Sequence, residues 1–166
     1  MKEIELTRGV SVMVDDNDYE HLSQWKWFAQ KCKNKLYAAR TIWGKEKSQI
    51  VLMHRIIMET PSDMQVDHIN GNTLDNRRIN LRNCTKTQNL RNAISTHGVS
   101  KFKGVSIKTD TIRAKPYRAT IVFNRKQYSL GVFYTEEEAA HAYDKKAIEL
   151  FGDFANTNFS RECYQF

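Results

Sequence analysis

The chain has 166 residues, a hydrophobic content of 40% and a formal net charge of +7, with a mean hydropathy of -0.63 and a pI near 9.3. That length suits one medium domain or two small ones. No apolar run approaches the ~18 residues of a membrane span, and the start Met1-Lys-Glu-Ile-Glu-Leu6 lacks the apolar centre of a signal peptide, so a soluble cytoplasmic protein is expected. Cys32, Cys84 and Cys163 are odd in number, lie far apart and form no Cys-x-x-Cys pair, which excludes a disulfide framework and a structural zinc held by thiols. The charge is uneven: residues 94–132 hold eight basic and one acidic side chain, whereas residues 133–166 sum to -4. A polyanionic partner is expected on that segment.

From the N-terminus, residues 10–14 read as a strand and residues 15–24 as a short helix with acids in its first turn, where the helix dipole favours them. Residues 25–29 and 36–39 then read as two strands around a polar turn, with a third at 50–53. Trp25, Trp27 and Trp43 are expected to pack this small sheet, because aromatic residues at strand spacing are more often core than ligand platforms. After the third strand comes His54-Arg55. Arg55 is open to two readings, a phosphate contact or a polar residue closing the strand.

Residues 66–92 concentrate the chemistry. Val66-Asp-His-Ile-Asn-Gly-Asn72 begins as a strand that ends close to His68, and Asn-Gly-Asn then gives turn residues that tolerate positive φ. Residues 80–84 fit a second short strand. Thr85-Lys-Thr-Gln88 is a capping box that starts a helix at Lys86, with Asn89 in its first turn. Asp67 offers a hard carboxylate oxygen to a divalent cation, and His68 has the side chain best suited to general-base work near neutrality. Asn80 and Asn89 add neutral oxygens or amide donors, and five basic side chains lie in the same stretch. Phosphodiester hydrolysis needs this set.

These residues resemble the HNH endonucleases with a ββα-metal site, specifically the phage-type and intron-type homing branch. The resemblance implies that Asp67 and Asn89 bind one divalent cation, Mg²⁺ or Mn²⁺, and that His68 is the general base. Asn80, which sits in the family's Asn-Leu-Arg context, would support the loop and orient the histidine, with Asn76 the alternative occupant. Asn89 stands where the family name has His, which exchanges a nitrogen ligand for an amide oxygen. Arg55, Arg77, Arg82 and Arg91 are the candidate phosphate contacts. The implied setting is a bacterial or phage-infected cell.

After a linker at 94–99, three strands are expected at 102–108, 117–123 and 127–133, joined by short polar turns as an antiparallel meander. Thr135-Glu-Glu-Glu138 is a second capping box, and Ala139, Tyr143, Ala147 and Leu150 form one helical stripe that ends at Gly152. The acids sit mostly on this helix, so the open face of the sheet is left positive. Phe102-Lys-Gly-Val105, Tyr117-Arg-Ala-Thr-Ile121, Leu130-Gly-Val-Phe133, Ala142-Tyr-Asp144 and Phe154-Ala-Asn-Thr-Asn-Phe159 resemble the plant Apetala-two or ethylene-response-factor DNA-binding domain. That family places its three-stranded sheet in the major groove. The resemblance implies DNA contacts from Lys103, Ser106, Lys108, Tyr117, Arg118, Thr120, Arg125, Lys126, Gln127 and Ser129. Gln127 and Ser129 stand where the plant proteins use Arg and Trp, which removes the plant target sequence.

The expected architecture is therefore α+β: a nuclease domain at 1–93, the linker, a DNA-binding domain at 100–159 and a tail at 160–166. The expected function is a monomeric, homing-type DNA endonuclease that nicks double-stranded DNA and needs no protein partner. The competing class is a non-catalytic DNA-binding regulator that keeps the nuclease fold as scaffold. An RNA-directed nuclease is disfavoured because the sheet lacks the stacked aromatic pairs of single-strand readers.

Overall fold

The computed structural model describes residues 1–44, 47–92, 100–107 and 116–164, with residues 90–92 described in backbone only. The expected linker and residues 108 and 165–166 lie outside these ranges. The chain divides into two compact units, Met1–Asn89 and Leu90–Phe166, and each has its own apolar core. The class is α+β. No described helix is long and apolar enough to cross a membrane.

In the first unit, β1 (Lys2–Glu5) pairs antiparallel with β2 (Ser11–Val14) and buries Ile4 against Val12. Alternation does not reveal β1, because Ile4 is its only buried residue. Helix α1 (Asp16–Leu22) carries Asp16 and Asp18 in its first turn and buries Leu22. Strands β3 (Phe28–Cys32), β4 (Lys35–Trp43) and β5 (Ser48–Leu52) form an antiparallel sheet in that order. The first of these starts later than the expected strand at 25–29. Trp27 instead turns its indole inward and donates Nε1–H to the Leu22 carbonyl at 2.8 Å.

The tryptophans divide. Trp27 is buried, and Trp25 is half-buried with the Arg40 guanidinium 4.0 Å from its ring centroid. Trp43 overturns the packing expectation, because it stands at the sheet's outer end with 84% of its surface exposed. Beyond β5, Met53 opens a short helix, α2 (Met53–Ile57), instead of ending the strand. A hairpin of β6 (Gln65–His68) and β7 (Leu81–Cys84) follows, and α3 (Lys86–Asn92) continues directly from it. Val12, Leu22, Trp27, Met53, Val66 and Leu81 belong to one buried cluster, so sheet, α2 and hairpin share a core.

The second unit is a sheet of β8 (Val105–Ile107), β9 (Tyr117–Phe123) and β10 (Lys126–Phe133), with β9 central and all pairs antiparallel. Helix α4 (Glu136–Phe151) lies on one face. It starts at the Thr135/Glu138 capping box, in which Thr135 Oγ1 accepts from the Glu138 N–H at 3.1 Å. Ala139, Ala140 and Ala147 are fully buried, and their small side chains let the helix sit close to Ala119 and Ile121. Gly104 (φ +78) makes this approach possible on the β8 side: a Cβ there would fall 1.9 Å from Cδ2 of Tyr143. Asp144 is wholly buried and accepts from the Asn158 and Phe159 N–H groups and the Tyr164 hydroxyl, at 2.8 to 2.9 Å. These bonds fasten the segment after the helix, and part of the expected tail, to the unit.

Candidate active site

The β6–β7 register sets Asp67 opposite Arg82 and His68 opposite Leu81. Across that pair the Arg82 guanidinium grips Oδ2 of Asp67, with Nε at 2.8 Å. Next along the strand, Nε2 of His68 lies 2.9 Å from Oδ1 of Asn76. An amide oxygen as partner favours the tautomer with the hydrogen on Nε2. Burial holds the His68 pKa below the usual imidazole value, against the Asn76 bond and the Asp67 charge, which raise it. The ring is therefore neutral at pH 7, as a base must be.

The loop from His68 to Asn80 is built by its own side chains. Gly71 takes φ +75 and returns its N–H to the His68 carbonyl at 2.9 Å. Asn80 Oδ1 accepts from the Asn70 N–H at 2.9 Å, and Asn80 Nδ2 donates to the Asp75 carbonyl at 2.8 Å. Asn80 thus supports the loop as expected, while the side chain that meets His68 is that of Asn76, the alternative occupant. Asn76 is fully buried and its backbone N–H donates to the Met13 carbonyl at 2.8 Å, which fixes the amide that meets His68.

Asn89 lies in the first turn of α3, whose start is fixed by Thr85 and Gln88: the Thr85 N–H donates to Oε1 of Gln88 at 2.8 Å. Nδ2 of Asn89 donates to Oε1 of Gln65 at 2.8 Å. That bond distinguishes the two ends of the amide and leaves Oδ1 as its donor atom for a cation. Gln65 is a site residue that the sequence reading missed, and no motif position signals it.

An open cleft of about 480 Å³ runs along this region, lined by residues that include Tyr37, His54, Gln65 and Asn89. His54 is buried, and its ring centroid lies 5.1 Å from that of His68, edge to face. Burial and the neighbouring His68 hold its pKa down to about 3, and its Nδ1 is buried with no hydrogen-bond partner among the described residues. Asp67 and His68 are each only 5% exposed and do not line the cleft. Among the described residues no group of three or more His, Cys, Asp or Glu side chains could hold an ion. One carboxylate and one amide oxygen still suit Mg²⁺ or Mn²⁺, because hard cations keep several waters and take the rest of their shell from phosphate.

The arginines differ from expectation. Arg55 spends Nη1 on the Met64 carbonyl at 2.8 Å and Nη2 on those of Thr60 and Pro61. Arg77 forms a two-point bridge to Asp75, with Nε at 2.7 Å from Oδ1 and Nη2 at 2.6 Å from Oδ2. Arg82 is engaged with Asp67. These three hold the fold instead of presenting themselves to phosphate, and the Arg91 side chain lies outside the described residues. The cation beside the histidine is Lys35, missed from sequence because it comes from β4. Its Nζ is 3.4 Å from the Gly71 carbonyl, and its charge bears on His68.

In the second unit, Arg118, Gln127 and Ser129 are exposed on the sheet face away from α4, with Thr120 on the same face, paired with Ser129, and Ser106 paired with Arg118. Arg125 and Lys126 are exposed at the β9–β10 turn. Tyr117 is a correction: strand alternation puts it with Ala119 in the core. Lys103 is half-buried, and its backbone N–H is held by Asn158 at 2.7 Å. Lys108 lies outside the described residues. Val122 and Val132, both exposed, complete the outer face and were not anticipated.

A family model described as HNH endonuclease matches residues 51–91. An uncharacterized HNH endonuclease of Acanthamoeba polyphaga mimivirus is 34% identical over 152 residues, spanning 91% of this chain and 76% of that protein. An ethylene-responsive transcription factor of Arabidopsis thaliana is 44% identical over 69 residues, spanning 42% of this chain and 16% of its own length. Another from the same plant is 35% identical over 100 residues, spanning 60% of this chain and 62% of that protein.

Proposed function

Because the chain belongs to the HNH endonuclease family, we propose that it nicks double-stranded DNA as a homing-type monomer, with His68 as general base and one Mg²⁺ or Mn²⁺ held by Asp67 and Asn89. The observation that supports this best is the His68–Asn76 bond, in which an amide oxygen 2.9 Å from Nε2 favours the tautomer with its proton on Nε2 and its lone pair on Nδ1. Nδ1 takes a proton from water as it attacks phosphorus in line with the departing 3′ oxygen. Asn76 stops the ring from rotating, Arg82 holds the Asp67 carboxylate in place, and Gln65 orients the Asn89 amide. A cation held by Asp67 and Asn89 would supply charge stabilisation to the phosphate oxygens and the leaving group.

The outer face of β8, β9 and β10 supplies the target recognition in this reading. Arg118, Thr120, Gln127 and Ser129 would meet base edges in the major groove, and Arg125 and Lys126 the backbone. Its support is the likeness to the plant transcription factors and the outward placement of these side chains.

Supercoiled plasmid incubated with Mg²⁺ or Mn²⁺ should give open circles, and chelation should stop the reaction. His68→Ala should lose about 10² to 10⁴ in rate while its DNA affinity, measured by gel shift, is kept. Equal loss of both overturns the assignment. The burial of Asp67 and His68 favours a second reading, a DNA binder without turnover. Absence of cleavage with every divalent cation would establish that one.

A further inference from the structure

The hydrolysis assigned to His68 leaves the buried imidazole of His54 without a task. Met53, wholly buried, anchors the first turn of α2, and His54 follows it with 5% of its surface exposed. Its ring meets that of His68 edge to face, with 87° between the planes, and the Tyr37 ring centroid stands 5.7 Å from the one and 6.3 Å from the other. His54 also lines the cleft, which His68 does not reach. A phosphate that approaches the proposed base from the cleft therefore meets His54 on the way.

The two nitrogens of this ring differ. Among the described residues neither makes a hydrogen bond, and only Nδ1 is sealed from solvent. A sealed nitrogen without a partner is either an orphaned donor or an orphaned acceptor, and buried acceptors are left unpaired more often than buried N–H groups. This favours the tautomer with the hydrogen on Nε2, the nitrogen that opens on the cleft. Burial and the neighbouring His68 also keep the ring uncharged, with its pKa held down to about 3. The cleft is thus offered a donor that carries no charge. Such a donor suits a place beside a divalent cation, because an ammonium or guanidinium there would repel the ion that Asp67 and Asn89 are proposed to hold. Arg55, the one arginine or lysine among the described residues lining the cleft, gives its guanidinium to three backbone carbonyls instead.

We propose that His54 is a further catalytic residue, which donates Nε2–H to a non-bridging oxygen of the scissile phosphate as negative charge gathers there. Water gives a proton to His68, its oxygen bonds to phosphorus, the bond to the 3′ oxygen breaks, and that oxygen takes a proton from solvent. His54 keeps its own proton throughout. The catalytic role rests on the nuclease reading above; the placement of the donor does not.

The tautomer is read by long-range proton–nitrogen correlation NMR on the full chain, with chelator present so that nothing is cut. His54 should show a protonated Nε2, and that N–H resonance should move downfield when duplex DNA is added. A hydrogen on Nδ1, or a resonance that ignores the duplex, overturns the proposal whether or not the chain cuts. With Mg²⁺ or Mn²⁺ present, His54→Phe keeps the packing and removes the donor, so kcat should fall about 10²-fold. KM, gel-shift affinity and the salt slope of binding should be kept, since no charge is lost. His54→Gln, which returns an N–H, should recover much of the rate. Sulfur in place of one non-bridging oxygen at the cut should slow the parent more than sulfur in place of the other, and His54→Phe should lose that preference. Parental kcat in His54→Phe sinks the proposal alone. So does a loss of rate that tracks a loss of urea stability and is regained with neither residue, which would make the ring a packing element. A parent that shows the duplex-dependent Nε2–H and cuts with no cation sinks the nuclease reading and leaves His54 a phosphate contact.

Discussion

Asn76 and Asn80 lie four positions apart and do different work. Asn76→Ala removes the partner of the proposed base, so its turnover should fall about 10- to 100-fold with melting temperature and DNA affinity little changed. Asn80→Ala removes two bonds that close a loop, and should cost about 1–3 kcal/mol of stability, read by urea unfolding. Reversal of those two phenotypes would return the orienting role to Asn80. The sequence shows Asp67, His68 and Asn89 because each is placed by a short element with a clear start: a strand end, or the helix turn after Thr85. Which asparagine meets the imidazole depends on the path of the intervening loop, and periodicity carries no information about that path. Lys35 and Gln65 are hidden for a related reason. One comes from a distant strand and the other matters only through its partner Asn89.

At the scale of elements, Arg55 shows how a basic side chain beside a nuclease motif can be structural. Its guanidinium gathers the carbonyls of Thr60, Pro61 and Met64, tying α2 to the loop that leads into β6. Arg55→Met should therefore cost about 2–3 kcal/mol of folding stability and leave the salt slope of DNA binding as it was. A flatter slope at unchanged stability would restore the phosphate role. Long strands and capped helices were legible: the expected strand at 117–123 has the bounds of β9, and both capping boxes form. Short elements were not. β1 buries one residue and shows no period, while α2 is only five residues long and is announced by no cap. Trp43 escaped because strand spacing predicts which face a side chain takes, not whether anything lies over that face.

For the molecule as a whole, separate cores imply separate sensitivities. Gly104→Ala would drive a methyl group into the Tyr143 ring at a φ that strains any L side chain. It should cost about 3 kcal/mol, and calorimetry should show only one of two melting transitions displaced. Acid should act on the other transition. Unfolded, His54 takes up a proton below about pH 6.5; folded, its pKa is about 3. Its contribution is therefore complete above pH 6.5 and is lost progressively as the pH falls toward 3. His54→Phe should shrink the difference between urea midpoints at pH 7 and pH 4.5. An unchanged difference would show that other groups carry the acid response.

The loop behind His68 is fastened outside the hairpin. Thr73 Oγ1 donates to the Leu36 carbonyl at 2.6 Å, and the Met13 N–H and carbonyl pair with Leu74 and Asn76. The 25 residues from Gln65 to Asn89 thus hold the proposed reactive groups but not the outer anchors that aim them. Recombination that moved this motif onto another scaffold would carry the reagents and lose the vice, so working chimaeras should join only where β2 and β4 are inherited along with it.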